Sequence, residues 1–346
     1  MKLSNNYLFH PLNRALERAI ADSIGLLSAE VAAAAALDTK VAVADNFLYT
    51  RGNYEQRRFS SNILEPVRDA LEASLTVTGK SRDQEPLAWA EKQNRLGNVL
   101  AAMGQRQRNV ELFEKAIQCF ENALEEFDQE KSAQDWAATQ YNLGTAKQAL
   151  GGQESNSKLL NEAIDAYTNA LLVWSREKSP EEWMLTMHQL GATLHAYGKL
   201  LKGNRTFQKS VVAYKNALAV LDADNYALEL TATHNNRAAV LHHLAESEDN
   251  PERLEEAIKS YEKALSVSME QQLPFHLAVI IRVNKATAQN ALAELTNDAV
   301  LAEEMADEFE LIIECFPHAL QPLCVKHCEE QKNKAKSLAL ATSASR

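Results

Sequence analysis

The sequence predicts an all-α protein, an α-solenoid of antiparallel helix pairs with helical caps at both ends. Three observations carry that expectation. An interval of 47 residues recurs along the chain, columns of like residues follow it without insertion or deletion, and helix-start residues stand at fixed places within it.

The interval relates Gly97, Gly144 and Gly191, and it relates Trp89, Trp136 and Trp183 before reaching Leu230. It also relates Phe120, Tyr167, Tyr214 and Tyr261, with Ala123, Ala170, Ala217 and Ala264 in step behind them. Leu124, Leu171, Leu218 and Leu265 keep the same register. Four repeats follow, at 86–132, 133–179, 180–226 and 227–271. Residues 272–316 read as a degenerate fifth repeat with Lys285 in the glycine column. Residues 1–85 read as an N-terminal helical region, with helices over 11–37 and 60–79, and 317–346 as a C-terminal capping helix (318–342) and tail.

One repeat reads as two helices. In the third copy Ser179 is the expected N-cap, Pro180 the first helical residue and Glu182 the far side of a capping box; Ser132 and Asp135 take these roles in the second copy. The first helix should stop at Gly104, Gly151 or Gly198, each suited to a left-handed terminal position. The second should start at Asn109, Asn156 or Asn250, the third copy being shifted by one to Gly203 and Asn204. Phe113, Ile117, Phe120 and Leu124 then mark its apolar face. Gly97 and Gly144 have a different expected task. Lacking a side chain, they let the partner helix approach so that Phe120 or Tyr167 fills the space, which offsets about 1 kcal/mol of lost helix propensity.

Composition narrows the function. The chain has 346 residues and a net charge of −11, so a basic surface for nucleic acid or anionic membrane is not expected. No run of 18 apolar residues suggests a membrane-spanning helix. The Ala-rich stretch at 29–37 follows Glu17 and Asp22 and contains Glu30, which disfavours a signal peptide. Four cysteines in this length form no disulfide framework, and a cytoplasmic location is expected.

The residues "LG" in the first helix, followed by "AIQCF", "AIDAY" or "AIKSY" in the second, resemble the tetratricopeptide repeat. Ser210 in "SVVAY" and Ala238 in the glycine column depart from the pattern, and the period of 47 exceeds the usual unit of about 34. The chain is thus similar to long-period members of that family. The resemblance implies a right-handed superhelix whose first helices line a concave groove that binds protein segments.

Stripes at helical spacing on those first helices are the candidate binding residues. They are Asn94, Tyr141, His188, Asn235 and Arg282; Arg95, Asn142, Gln189 and Asn236; Asn98 and Thr145; and Gln148, His195 and His242. Amide side chains both donate and accept, so such a ladder suits the backbone of an extended peptide. The alternative is that these residues tolerate solvent or bond to neighbouring helices. The family's acidic-tail clamp uses lysines where Asn94 and Leu185 stand, which disfavours that ligand.

No phosphate loop, nucleophile elbow or metalloprotease histidine pair is present, so the expectation is a non-enzymatic scaffold or adaptor without cofactor, binding a protein or peptide segment. A self-associating homo-oligomer is the second reading. A metal- or redox-dependent regulator using Cys315, His318, Cys324, His327 and Cys328 is the third, although their spacing fits no strong zinc template and packing explains them as well.

Overall fold

The computed structural model describes residues 82–273, 275–316 and 322–343, with a few helical positions between 65 and 75. The helix expected over 11–37 lies outside the described residues, as does most of the one over 60–79. Every regular element among the described residues is a helix: α1 Pro86–Gln107, α2 Val110–Leu124, α3 Ala133–Glu154, α4 Ser157–Ala170, α5 Pro180–Leu201 and α6 Asn204–Leu218. There follow α7 Ala223–Glu248, α8 Pro251–Glu270, α9 Phe275–Thr296, α10 Ala299–Cys315 and α11 Pro322–Ser343. They fall into two compact units, with the division after Leu201. In the unit up to Leu201 each helix packs on the next, and α3 also touches α1 and α5. In the unit from Lys202 the same sequential packing runs from α6 to α11, and α9 also touches α7 and α11.

The helix boundaries keep the 47-residue register. The residues before the first helices, Glu85, Ser132 and Tyr226, share a non-helical backbone with φ of −138°, −124° and −132°. Tyr226 interrupts α7, so the regular part of that helix begins one register step after α5, with an extra turn in front. Asn109, Asn156 and Asn250 accept backbone N–H bonds at the starts of α2, α4 and α8, contacts worth about 1 kcal/mol each. Gly203 holds the same place before α6, so the cap position is not shifted in the third copy. What differs is the residue: glycine caps without a side chain, and Asn204 instead accepts from Ser247 Oγ at 2.9 Å.

Two expectations need correction. Ser132 stands at the start of α3 but makes no capping bond. Its Oγ accepts from Asp128 N–H at 2.7 Å and so closes the preceding turn instead. Gly104 and Gly151 do not stop their helices, which run on to Gln107 and Glu154. The left-handed residues after the first helices of the four repeats are Arg108, Ser155, Lys202 and Asp249, with φ between 47° and 55°. After three of these, Asn109, Asn156 and Asn250 send their N–H back to Gly104, Gly151 and Ala245, which satisfies the last carbonyls. Glycine is used for clearance: a Cβ on Gly104 would lie 3.2 Å from the Phe113 ring, and one on Gly151 3.1 Å from Leu160. Gly97 and Gly144 clear Phe120 and Tyr167 in the same way, at 2.6 and 3.0 Å.

The aromatic column is the centre of the packing. Phe120, Tyr167, Tyr214 and Tyr261 are all fully buried, each contributing about 1.5–3 kcal/mol by removal from water. In the first unit Phe120 packs with Leu96, Leu100, Ala116 and Leu143. In the second, Tyr261 packs with Ala238, Leu241, Ala257 and Ile281. The tryptophans of the repeat are half-buried at its edge: Trp89 and Trp136 lie against Ala123 and Phe127. The off-register Trp174 is buried, donating Nε1–H to Gln134 at 2.9 Å.

Candidate partner-binding face

In the first unit the stripes come together on α1, α3 and α5. Asn142 Nδ2 donates to Asn94 Oδ1 at 3.2 Å, joining the first helices of consecutive repeats. Both are half-buried, as are Arg95, which pairs with Glu91, and Thr145 and Gln148. The Tyr167 hydroxyl donates to Gln148 Oε1 at 2.6 Å and lies 3.1 Å from Thr145 Oγ1. Tyr141 is buried edge-on to the Tyr167 ring, 5.6 Å between centroids, and burial pushes both hydroxyl pKa values up. Asn98, His188, Gln189 and His195 are buried as well.

In the second unit the amide bond recurs one repeat apart, with Asn284 Nδ2 donating to Asn235 Oδ1 at 3.0 Å. Asn235 in turn donates to Asn236 at 3.1 Å. All three amides are fully buried. His242 is buried with Nε2 3.5 Å from Glu246. Arg282 is half-buried and paired with Glu308, Nη2 to Oε2 2.9 Å. On α7, burial holds the His234 pKa down to about 4, helped by Lys263 and Arg237.

The expectation of an open polar face therefore fails at Asn98, Tyr141, His188, Gln189, His195, Asn235, Asn236 and His242, which lie inside the chain. The reason is coverage. Every residue from Leu96 to Gly104 is buried, because α1 packs against both its partner α2 and the next first helix α3. A helix enclosed on all sides has no free stripe. The lack of Lys and Glu, read in the sequence as a mark of ligand binding, marks burial just as well. Six of the candidates stay half-buried: Asn94, Arg95, Asn142, Thr145, Gln148 and Arg282.

One charged residue on this face lies outside the candidate stripes. Lys147 stands in a column otherwise held by Leu100, Leu194 and Leu241, and its Nζ reaches Glu162 at 2.9 Å and Glu121 at 3.1 Å. A single charge in a leucine column was the available clue. At the other end, the cysteine–histidine group divides. Cys315 is exposed at the end of α10, while Cys328 is buried with Val279 and Phe309. His327 is also buried, and the side chains of His318 and Cys324 lie outside the described residues. Among the described residues no three His, Cys, Asp or Glu side chains gather as metal ligands.

No protein-family model matches this chain, and no curated protein matches it. No described helix is long and apolar enough to cross a membrane.

Proposed function

We propose that the protein is a non-enzymatic, cytoplasmic scaffold of the tetratricopeptide kind, a right-handed solenoid that holds an extended segment of another polypeptide along α1 and α3. The Asn142–Asn94 bond supports this reading best. Each carboxamide has two N–H donors and an oxygen with two lone pairs. The bond engages one hydrogen of Asn142 and one lone pair of Asn94. The pair thus retains donors and acceptors, held in fixed position on neighbouring repeats and half-buried rather than enclosed. A peptide backbone needs both kinds of group at regular intervals, whatever its sequence. Arg95, Thr145 and Gln148 flank the pair on the same two helices.

The test starts with capture of the partner from a source lysate and its identification by mass spectrometry. Titration of that partner against Asn142→Ala should show affinity weakened about five- to a hundredfold, the effect of roughly 1–3 kcal/mol for a lost buried amide contact. Unchanged affinity in a variant with the parent circular dichroism would remove the amide pair from the binding face.

A further inference from the structure

Helix α11 closes the second unit through contacts that differ from those of the repeats. Cys328 and Ala335 join Val279, Val283, Phe309 and Ile312 of α9 and α10 in one apolar cluster. Polar bonds run beside it. Asn290 Nδ2 donates to Gln331 Oε1 at 2.9 Å. The ring of His327, 4% exposed, meets Thr287 Oγ1 through Nε2 at 2.9 Å.

That last contact fixes the proton on His327. Thr287 Oγ1 donates to the Val283 carbonyl at 2.8 Å. With its one hydrogen engaged, it can only accept from the imidazole, so Nε2 carries the proton and Nδ1 is bare. Nδ1 is buried and has no hydrogen-bond partner among the described residues. A second proton would therefore create a cation with one N–H facing no acceptor among the described residues, in a site removed from water.

We propose that α11 is an acid-releasable cap, docked while His327 is neutral and freed when that ring takes a proton the docked site cannot accommodate. The surrounding charges favour this outcome. Glu330 on α11 is the carboxylate that acts directly on the ring, and it is exposed. Lys334 on α11 and His242 on α7 act against protonation. Glu246 of α7 is engaged with His242, and Glu294 of α9 lies 3.7 Å from Lys334. From α10, Glu310 faces Lys332 and Lys336 of the cap, whose charges hold its pKa below the usual range. The Glu310 pairs therefore persist at acidity that affects the histidine. The partner-binding reading uses none of these residues, so the two stand or fall separately.

The direction follows from linkage. Burial, with Lys334 and His242 adding and Glu330 opposing, holds the docked imidazole pKa down to about 4. The undocked ring has its ordinary value near 6.5. Docking is at full strength above about pH 6.5 and weakens as pH falls toward about 4, because only the freed helix takes the proton in that window. The undocked population should rise roughly thirtyfold between about pH 7.5 and 5.0.

The experiment is hydrogen exchange on the full chain, with amide protection in residues 325–335 corrected for intrinsic pH dependence and compared with α4. The wild type should lose about thirtyfold protection in the cap over that range, while His327→Gln, which keeps a donor toward Thr287 but does not titrate, should lose less than about threefold. Equal acid responses in the two proteins would overturn the proposal. Should His327→Gln leave the cap unprotected even at neutral pH, the wild-type imidazole decides by NMR titration. An apparent pKa below about 5.5 sustains the proposal, and one at or above about 5.5 ends it.

Discussion

A methyl group placed on Gly97 would lie 2.6 Å from Cε1 of Phe120, whereas one placed on Gly152 would meet nothing within 4 Å. Two glycines on the first helices of consecutive repeats thus make opposite predictions. Gly97→Ala should destabilise by about 1–2 kcal/mol, because overpacking against a fully buried ring exceeds the gain in helix propensity. Gly152→Ala should stabilise by about 0.5 kcal/mol, since only the propensity gain applies. Urea midpoints measure both, and a shift of the same sign in the two variants would contradict the assigned clearance. The task of Gly97 and Gly144 was legible, because a helix-interior glycine aligned with a partner aromatic has few other uses. The task of Gly104 was not. Glycine near a helix end reads as a terminator, and only the three-dimensional approach of Phe113 shows that clearance is needed there. Lys147 was overlooked for a related reason: its two carboxylate partners lie on two different second helices.

The first two helix pairs link two columns. Where the second helix carries Phe120, the first has Ala101; where it carries Tyr167, the first has Gln148 and Thr145 within reach of the hydroxyl. In this second pair the polar partner comes with the hydroxyl, whereas the buried Tyr261 hydroxyl of the fourth pair has no hydrogen-bond partner among the described residues. Tyr167→Phe should cost about 1 kcal/mol, and so should Gln148→Ala, each leaving a group without its bond. The double variant restores the Ala101–Phe120 combination, so its cost should fall short of the sum by about 0.5–1.5 kcal/mol. Strictly additive denaturation free energies would show that the two columns are independent. Both columns are visible in the sequence, but a repeat aligns residues down the chain and not across the pair. Gln148 therefore reads as a ligand contact, whereas half of its role is internal. Helix starts were easier to read. Asn109, Asn156 and Asn250 cap because their side chains act within three residues, the range over which sequence neighbours are also spatial neighbours.

Across the whole molecule the period made the helical stack legible and concealed the burial of its first helices. Asn142 meets Asn94, and Asn284 meets Asn235, across distances of 48 and 49 residues. How closely those helices approach depends on side chains from several repeats at once, which no single stripe records. The same period carries one more consequence, at the ends of the first helices. Arg108, Ser155, Lys202 and Asp249 occupy one column, two in each unit, and all four hold the left-handed backbone without being glycine. An L-residue there costs about 1–2 kcal/mol, and the greater freedom of glycine in the unfolded chain returns only part of it. Glycine at each position should add about 0.5 kcal/mol, and at all four about 2 kcal/mol, since sites so far apart combine additively. A quadruple variant with an unchanged or lower thermal midpoint would refute this. If it holds, the chain operates below the stability its own backbone permits. The repeat then contains an unused reserve, enough to absorb one or two damaging substitutions elsewhere before the fold is lost.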